Sequence, residues 1–549
     1  MSTIYSGSLA PFAVLLWPLL IGLVPIVPRW RANALRLLPF APLPALGFAM
    51  AGAPGSVVIP DLMLGVQLGS GPDTSLLLGM TALVWTVAGF YAALFMARGS
   101  AAGVFASFWC LTLAGNLGVF LAADIITFYI AFAAVSLAAW LMVVHDRTKD
   151  ALAAGRVYIA LAVLGEAALL SGLMIGAAAA EDLQISTVRA AFADAPLGSL
   201  GVGLLIAGFG IKAGMVPLHL WLPLAHPAAP VAGSAVLSGA IVKAGLIGMV
   251  LLVPEETGWR SVLIVLGLLG AFGAAIWGLS QRNPKAVLAY STVSQMGLLL
   301  VLAGAGSQGV AYAALHHGIA KAALFLCVGM MMLAASPAQR RAVLGLAGLV
   351  ALSVAGLPLT GGALAKLAGK QGLSEMLALA VTLSSVTTTL VLGWFLIRLA
   401  QIPAKPQQIS HWGGAFVAIV GLGVLALVLP WVLWSGIVDL PRDYVWRPPN
   451  MLEGLWPVLV GLGALAVIRR VKLPEYPPGD VLHLIGNHKL RPVFQLPVGK
   501  QGVQYRKRAT LRLLLMFKIA ERWLLHWPVA GSTLMGVALA VTAMVWIAS

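Results

Sequence analysis

The chain has 549 residues, 60% of them hydrophobic and only 9% charged, with a mean hydropathy of +0.97. A soluble domain carries about a quarter charged residues and a disordered chain needs low hydrophobicity, so this composition excludes both and defines an integral membrane protein. The net charge of +16, from 34 basic and 18 acidic residues, reads in a membrane protein as loops rich in Lys and Arg, and no nucleic-acid partner is expected.

Spanning helices need about 20 mostly apolar residues. On that template roughly 16 segments centre near residues 20, 43, 85, 112, 134, 164, 208, 241, 270, 295, 320, 351, 386, 423, 460 and 538. The expected fold class is an all-α integral membrane protein of about 14–16 transmembrane helices. The first run starts near Phe12 and contains Pro18 and Pro25. It lacks a basic n-region and a small-residue cleavage site, so a retained helix is expected and not a signal peptide. Cys110 and Cys327 sit in apolar runs with no Cys-x-x-Cys pair, as buried structural thiols would.

Alternate loops carry the positive charge: Arg29, Arg31 and Arg36; Arg98; Arg147, Lys149 and Arg156; Arg282 and Lys285; Arg340 and Arg341; Arg398 and Lys405. The other loops are mainly acidic, with Asp61, Asp73, Glu181, Asp182, Asp194, Glu255 and Glu256. The positive-inside rule then predicts both termini on the non-cytoplasmic side. Residues 469–526 hold twelve of the 34 basic residues against three acids. The first half of this stretch is Pro-rich. The second, from Arg506 to His526, alternates basic residues with Leu and Met like a helix at a membrane surface. Such a segment either touches anionic lipid or docks a partner subunit.

Ionisable groups inside apolar segments are expensive and mark functional positions. Five lysines are so placed: Lys212, Lys243, Lys285, Lys321 and Lys366. Lys212 lies in Gly208-Phe209-Gly210-Ile211-Lys212-Ala213-Gly214-Met215-Val216-Pro217, whose glycines and proline predict a broken helix with free carbonyls beside the ammonium group. Lys366 follows a second such break, Gly356-Leu357-Pro358, five segments further on. An odd shift inverts the second copy, so segments 4–8 (101–252) and 9–13 (260–400) are expected to be inverted repeats. Residues 1–100 then form N-terminal helices, 410–468 C-terminal helices and 528–549 the last span. His317 and Lys321 are four apart on one helix face, a pairing suited to proton hand-off. Tyr290, Ser291, Thr292, Ser294 and Gln295 form a polar run able to hold water. The alternative for Lys285 and Lys366 is snorkelling to the interface. His219 and His226 have no carboxylate or cysteine nearby in sequence, so no metal is expected, and without a P-loop or dinucleotide fingerprint no cofactor is expected.

These residues resemble the antiporter-like proton-translocating family. It comprises the large membrane-arm subunits of complex I (NADH:quinone oxidoreductase) and subunits of multi-subunit cation/proton antiporters and membrane-bound hydrogenases. The likeness covers about residues 70–400. It rests on Lys212-Ala213, Trp221-Leu222-Pro223-Leu224-Ala225-His226-Pro227-Ala228-Ala229-Pro230, Ser234 to Lys243, Lys285 to Thr292, His317 to Lys321 and Gly356 to Lys366. The resemblance implies two inverted five-helix bundles and a proton path through Lys212, Lys243, Lys285, His317, Lys321 and Lys366. It also implies, as partners, other membrane subunits of a larger complex in a bacterial inner membrane. The family's usual glutamate in segment five is missing: the stretch reads Phe132-Ala133-Ala134-Val135-Ser136-Leu137. Glu166 in the next segment is the expected substitute partner of Lys212; the alternatives are a purely structural Glu166 and a first half-channel that is inactive or carries another ion or proton step. The alternative is a largely non-conducting scaffold that anchors a soluble partner through 469–526, as in inorganic-carbon uptake.

Overall fold

Without water to bond it, backbone crossing a bilayer must satisfy its own polar groups, and the apolar segments do so as helices. The computed structural model describes residues 6–476, apart from 54, 61, 63–64, 97–99, 256–257 and 405–410. The basic segment is covered only at its start, and its remainder and the expected last span, 528–549, lie outside the described residues.

β1 (Ser6–Gly7) leads into α1 (Ala10–Leu23), a 3-10 stretch (Pro28–Phe40) and α2 (Leu43–Met50). The segment expected to span near residue 43 is therefore an α-helix of eight residues, about 12 Å against about 30 Å of hydrocarbon. Pro28, Pro39, Pro42 and Pro44 explain it, because each removes a backbone donor from what hydropathy alone reads as continuous. β2 (Val57–Ile59) and β3 (Val66–Leu68) complete a small antiparallel sheet in the order β1-β2-β3, with Ser6 opposite Val58 and Val58 opposite Gln67.

The bundle continues with α3 (Pro72–Phe95), α4 (Ala101–Leu121), α5 (Ile125–Val143), α6 (Lys149–Ala177), the short α7 (Ile185–Ala191), α8 (Gly198–Ala213) and α9 (Trp221–Ala228). Then come α10 (Val231–Leu252), α11 (Trp259–Gly278), α12 (Pro284–Gly304), α13 (Val310–Leu333), α14 (Pro337–Ala355) and α15 (Gly361–Lys370). The last are α16 (Glu375–Ala400), α17 (Trp412–Ile437) and α18 (Pro448–Ile468). Among the described residues, twelve helices are long and apolar enough to cross a membrane, with shorter apolar helices over Ala10–Ile26 and Gly198–Ala213. The protein is an all-α, multi-pass membrane protein.

Asp124 ties the sheet to the bundle. Its carboxylate accepts from the Thr127 N–H at 2.7 Å, capping α5, and from the Gln67 N–H of β3 at 2.8 Å. The centre of the bundle is α10, α12 and α13: 89% of the apolar window of α10 and 94% of those of α12 and α13 are buried, against 28% for α17 and 17% for α18. The five lysines, His226, His316 and His317 all lie on these three helices or on the broken pairs α8/α9 and α14/α15.

Both breaks share one device. α8 stops at Gly214 (φ +73°) and α14 at Gly356 (φ +92°), left-handed positions that reverse the chain without a Cβ clash. A side chain at Gly356 would also meet the stem of Lys366 at 3.0 Å. Gly356→Ala should destabilise the protein by about 1–2 kcal/mol, seen as a lower melting temperature in detergent. Gly463→Ala, inside a helix and with nothing within 4 Å of its Cβ, should not lower it.

Candidate functional site: a row of buried lysines and histidines

Lys243 and Lys321 are fully buried, and Lys212 and Lys285 are 4% and 8% exposed. Ammonium groups at such depth need oxygen acceptors, and the local helix geometry supplies them. α10 widens into a π-turn over Leu237–Ile241. This loosens the carbonyl of Ser238, which accepts from Lys243 Nζ at 2.6 Å. The Ser238 hydroxyl meets Thr292 Oγ1 at 2.8 Å, and Thr292 in turn donates to the Leu288 carbonyl at 2.9 Å. Lys321 Nζ donates to Ser291 Oγ at 2.6 Å and to the same Leu288 carbonyl at 3.4 Å. Ser238 therefore meets Lys243 through its carbonyl and Thr292 through its hydroxyl, while Thr292 and Lys321 share the Leu288 carbonyl.

His317 lies one turn from Lys321, within electrostatic reach of Lys243, Lys321 and His316. Neither of its ring nitrogens has a protein partner among the described residues. It faces a cavity of about 30 Å³ that it shares with Gln295, His316 and Lys366, room for about two waters. His316 Nε2 pairs with Ser353 Oγ at 2.9 Å, just before the α14 break. Lys366 Nζ donates to Ser385 Oγ at 2.6 Å, to Ser384 Oγ at 3.4 Å and to the Ala355 carbonyl at 3.1 Å, which the break leaves free of helical bonding. Lys285 Nζ donates to the Ala229 carbonyl between α9 and α10. Lys285 and Lys366 both donate to protein oxygens.

Lys212 is housed differently. The Ile211 carbonyl, expected to lie free beside it, is taken by the Trp221 indole at 2.7 Å. The ammonium group donates instead to Tyr158 Oη at 3.4 Å and lies 5.8 Å and 5.6 Å from the ring centres of Phe132 and Tyr158. The Tyr158 hydroxyl in turn donates to the Ser136 carbonyl at 2.9 Å. Glu166 lines the same small cavity, about 10 Å³ with Phe132, Ser136, Tyr158 and Trp221. It makes no ion pair with Lys212 within 4 Å among the described residues. The cavity they both line is about the size of one water. No hydrogen bond between described side chains links this pocket to Lys243. His226 stacks on Phe325 with ring centres 4.4 Å apart, within electrostatic reach of Lys285 and Lys321, and is buried. His219 is also buried, 6.3 Å from the Tyr290 ring.

Of the expected polar run, Ser291 holds Lys321, Thr292 bridges to Ser238, Ser294 donates to the Ala271 carbonyl and Gln295 donates to Thr388. The reading of the sequence missed Tyr158, Ser353 and Ser385, which bear no charge and so gave no signal. It also missed the ion pair of Lys370 with Glu453, at 2.8 Å. Lys370 stands one turn after Lys366 on the same face, and Glu453 is an acid within an apolar run, the very signal used for the lysines.

Broken helices around a buried lysine and histidine core mark an antiporter-like membrane subunit. Residues 122–391 match the family model described as NADH:quinone oxidoreductase/Mrp antiporter, TM. Among curated relatives, hydrogenase-4 component B of Escherichia coli (strain K12) is 28% identical over 257 residues, 43% of this chain and 38% of the relative. NADH-quinone oxidoreductase subunit N of Saccharopolyspora erythraea is 28% identical over 358 residues, 59% and 70% respectively. The chain thus spans less than half the length of the hydrogenase-4 relative it matches. The fold is shared with a chain of the Mrp complex from Dietzia sp. DQ12-45-1b, at TM-score 0.70 and 20% identity over 97% of this chain and 63% of that one. It is shared too with a chain of the membrane-bound sulfane sulfur reductase, an archaeal respiratory membrane complex, at TM-score 0.65 and 19% identity over 84% and 99%.

If the lysine row is as enclosed as this geometry requires, a water-soluble amine-acylating reagent should modify exposed Lys149 in intact membranes and leave Lys243 and Lys321 unmodified. Peptide mass spectrometry reads the difference, and acylation of Lys321 at the rate of Lys149 would refute the enclosure.

Proposed function

We propose that the protein is a proton-translocating, or cation/proton-antiporting, subunit of a larger complex in a bacterial inner membrane. The observation that carries this is the burial of Lys243 and Lys321 around Ser238, Ser291 and Thr292, together with a water-sized cavity shared by His317 and Lys366. A buried lysine sheds its proton more readily than one in water, and histidine accepts and returns protons near neutral pH. Protons would step between Lys243, Lys321, His317 and Lys366, with Lys285 and His226 feeding the middle. At the other end Lys212 would trade with Glu166 through one water, Glu166 standing in for the glutamate that Ala133 lacks. Segments 101–252 and 260–400 would work as two inverted half-channels, driven by redox chemistry or an ion gradient in partner subunits.

The start of the basic segment supports docking on the loop face. Glu475 pairs with Arg282, and with Arg398 at 2.9 Å, while Tyr476 stacks on Trp277 with ring centres 5.7 Å apart. Both arginines belong to the positive loops, so this face would be cytoplasmic, with the termini on the opposite side and a soluble or peripheral partner received at 469–526.

Reconstituted in liposomes with an internal pH dye and an imposed potential, the full chain should carry protons. Lys212→Ala and Lys321→Ala should each lower the rate at least about tenfold. A non-conducting scaffold would tolerate both. Glu166→Gln should lower the rate as Lys212→Ala does; full flux in that variant would remove Glu166 from the path.

A further inference from the structure

Lys366 borders two cavities. The inner one is shared with His317. The outer one, also about 30 Å³, is lined by Lys366, Lys370, Thr382, Ser385, Asn450 and Glu453 among others. It lies where α15 ends and where α16 and α18 begin, so it opens at one end of the helix bundle. Exposure rises outward along this line: Lys321 is fully buried, the Lys370 side chain is 14% exposed and that of Glu453 38%. Glu453 is the one carboxylate lining the outer cavity among the described residues. Its Oε1 accepts from Lys370 at 2.8 Å and from the Thr382 hydroxyl at 2.7 Å. Thr382 and Ser385, which holds Lys366, are three residues apart on α16 and therefore on one face.

We propose that Lys370 and Glu453 form a proton gate at the mouth of the second half-channel, between Lys366 and bulk water. The proposal rests on the proton-conducting reading above. In the resting state the carboxylate is ionised and clamped by Lys370 and Thr382. A proton leaving Lys366 Nζ crosses the waters of the outer cavity and is taken by Glu453. The neutral acid no longer holds Lys370, and the ion pair opens. Glu453 then releases the proton to bulk water and the pair reforms, so that one proton enters and one leaves per cycle. Intake from this side runs the same steps in reverse. The Lys370 side chain is largely buried, so a fold measurement has to separate the transport role from a structural one.

The test uses the full chain in proteoliposomes, with melting temperature as a check on folding. Glu453→Gln cannot accept a proton and should cut flux at least about tenfold, while Glu453→Asp should keep most of it. Lys370→Met frees the carboxylate and should instead raise passive proton leak. A merely structural pair would give the same loss of flux in both variants, in step with a lower melting temperature. That result, or wild-type flux in Glu453→Gln while Lys321→Ala is inactive, would overturn the gate. Full flux in Lys321→Ala would overturn the conducting reading itself and the gate with it.

Discussion

An ammonium group inside hydrocarbon must find oxygen, and in this protein the oxygen comes from places where a helix is interrupted. A regular helix spends its carbonyls on its own ladder, and only a defect frees one. Lys243 takes the carbonyl loosened by a π-turn, Lys285 the one between α9 and α10, and Lys366 the one at the end of α14. Lys321 and Lys212 instead sit against regular helices: Lys321 uses the Ser291 hydroxyl and a carbonyl already shared with Thr292, and Lys212 uses the Tyr158 hydroxyl. The breaks and widenings of the bundle are the solvent of its charges. An uncompensated charge at this depth costs several kcal/mol, so lysines and defects have to be placed together.

The two ends of the row are not alike. Around Lys366 the surroundings are hydroxyls, a histidine, two water-sized cavities and a carboxylate within reach of water. Around Lys212 they are aromatic rings, one phenol and a smaller cavity that also holds Glu166. Aromatic faces stabilise a cation without accepting its proton. Lys212 is therefore the member of the row least well supplied with oxygen acceptors. Its behaviour depends on Glu166, the carboxylate in its pocket.

Much of this was legible in the chain, because it followed from single residues. The five lysines stood out against apolar runs. Both helix breaks were announced by glycine and proline, at Gly214 with Pro217 and at Gly356 with Pro358. What was not legible depended on tertiary contact or on backbone geometry without a residue signature. The π-turn that serves Lys243 has no sequence mark that separates it from ordinary helix. Glu453 and Lys370 meet only through the packing of α15 and α18. Near residue 43 the apolar content was read correctly and the prolines were underweighted, so a span was expected where an eight-residue helix stands.

The central claim is that water joins the buried lysines into one path. A density map of the full chain in lipid nanodiscs, at a resolution that shows ordered solvent, tests it most directly. The account predicts waters bridging a His317 ring nitrogen to Lys366 Nζ through the cavity lined by Gln295 and His316. A cavity without solvent density, its histidine turned away from Lys366, would contradict it.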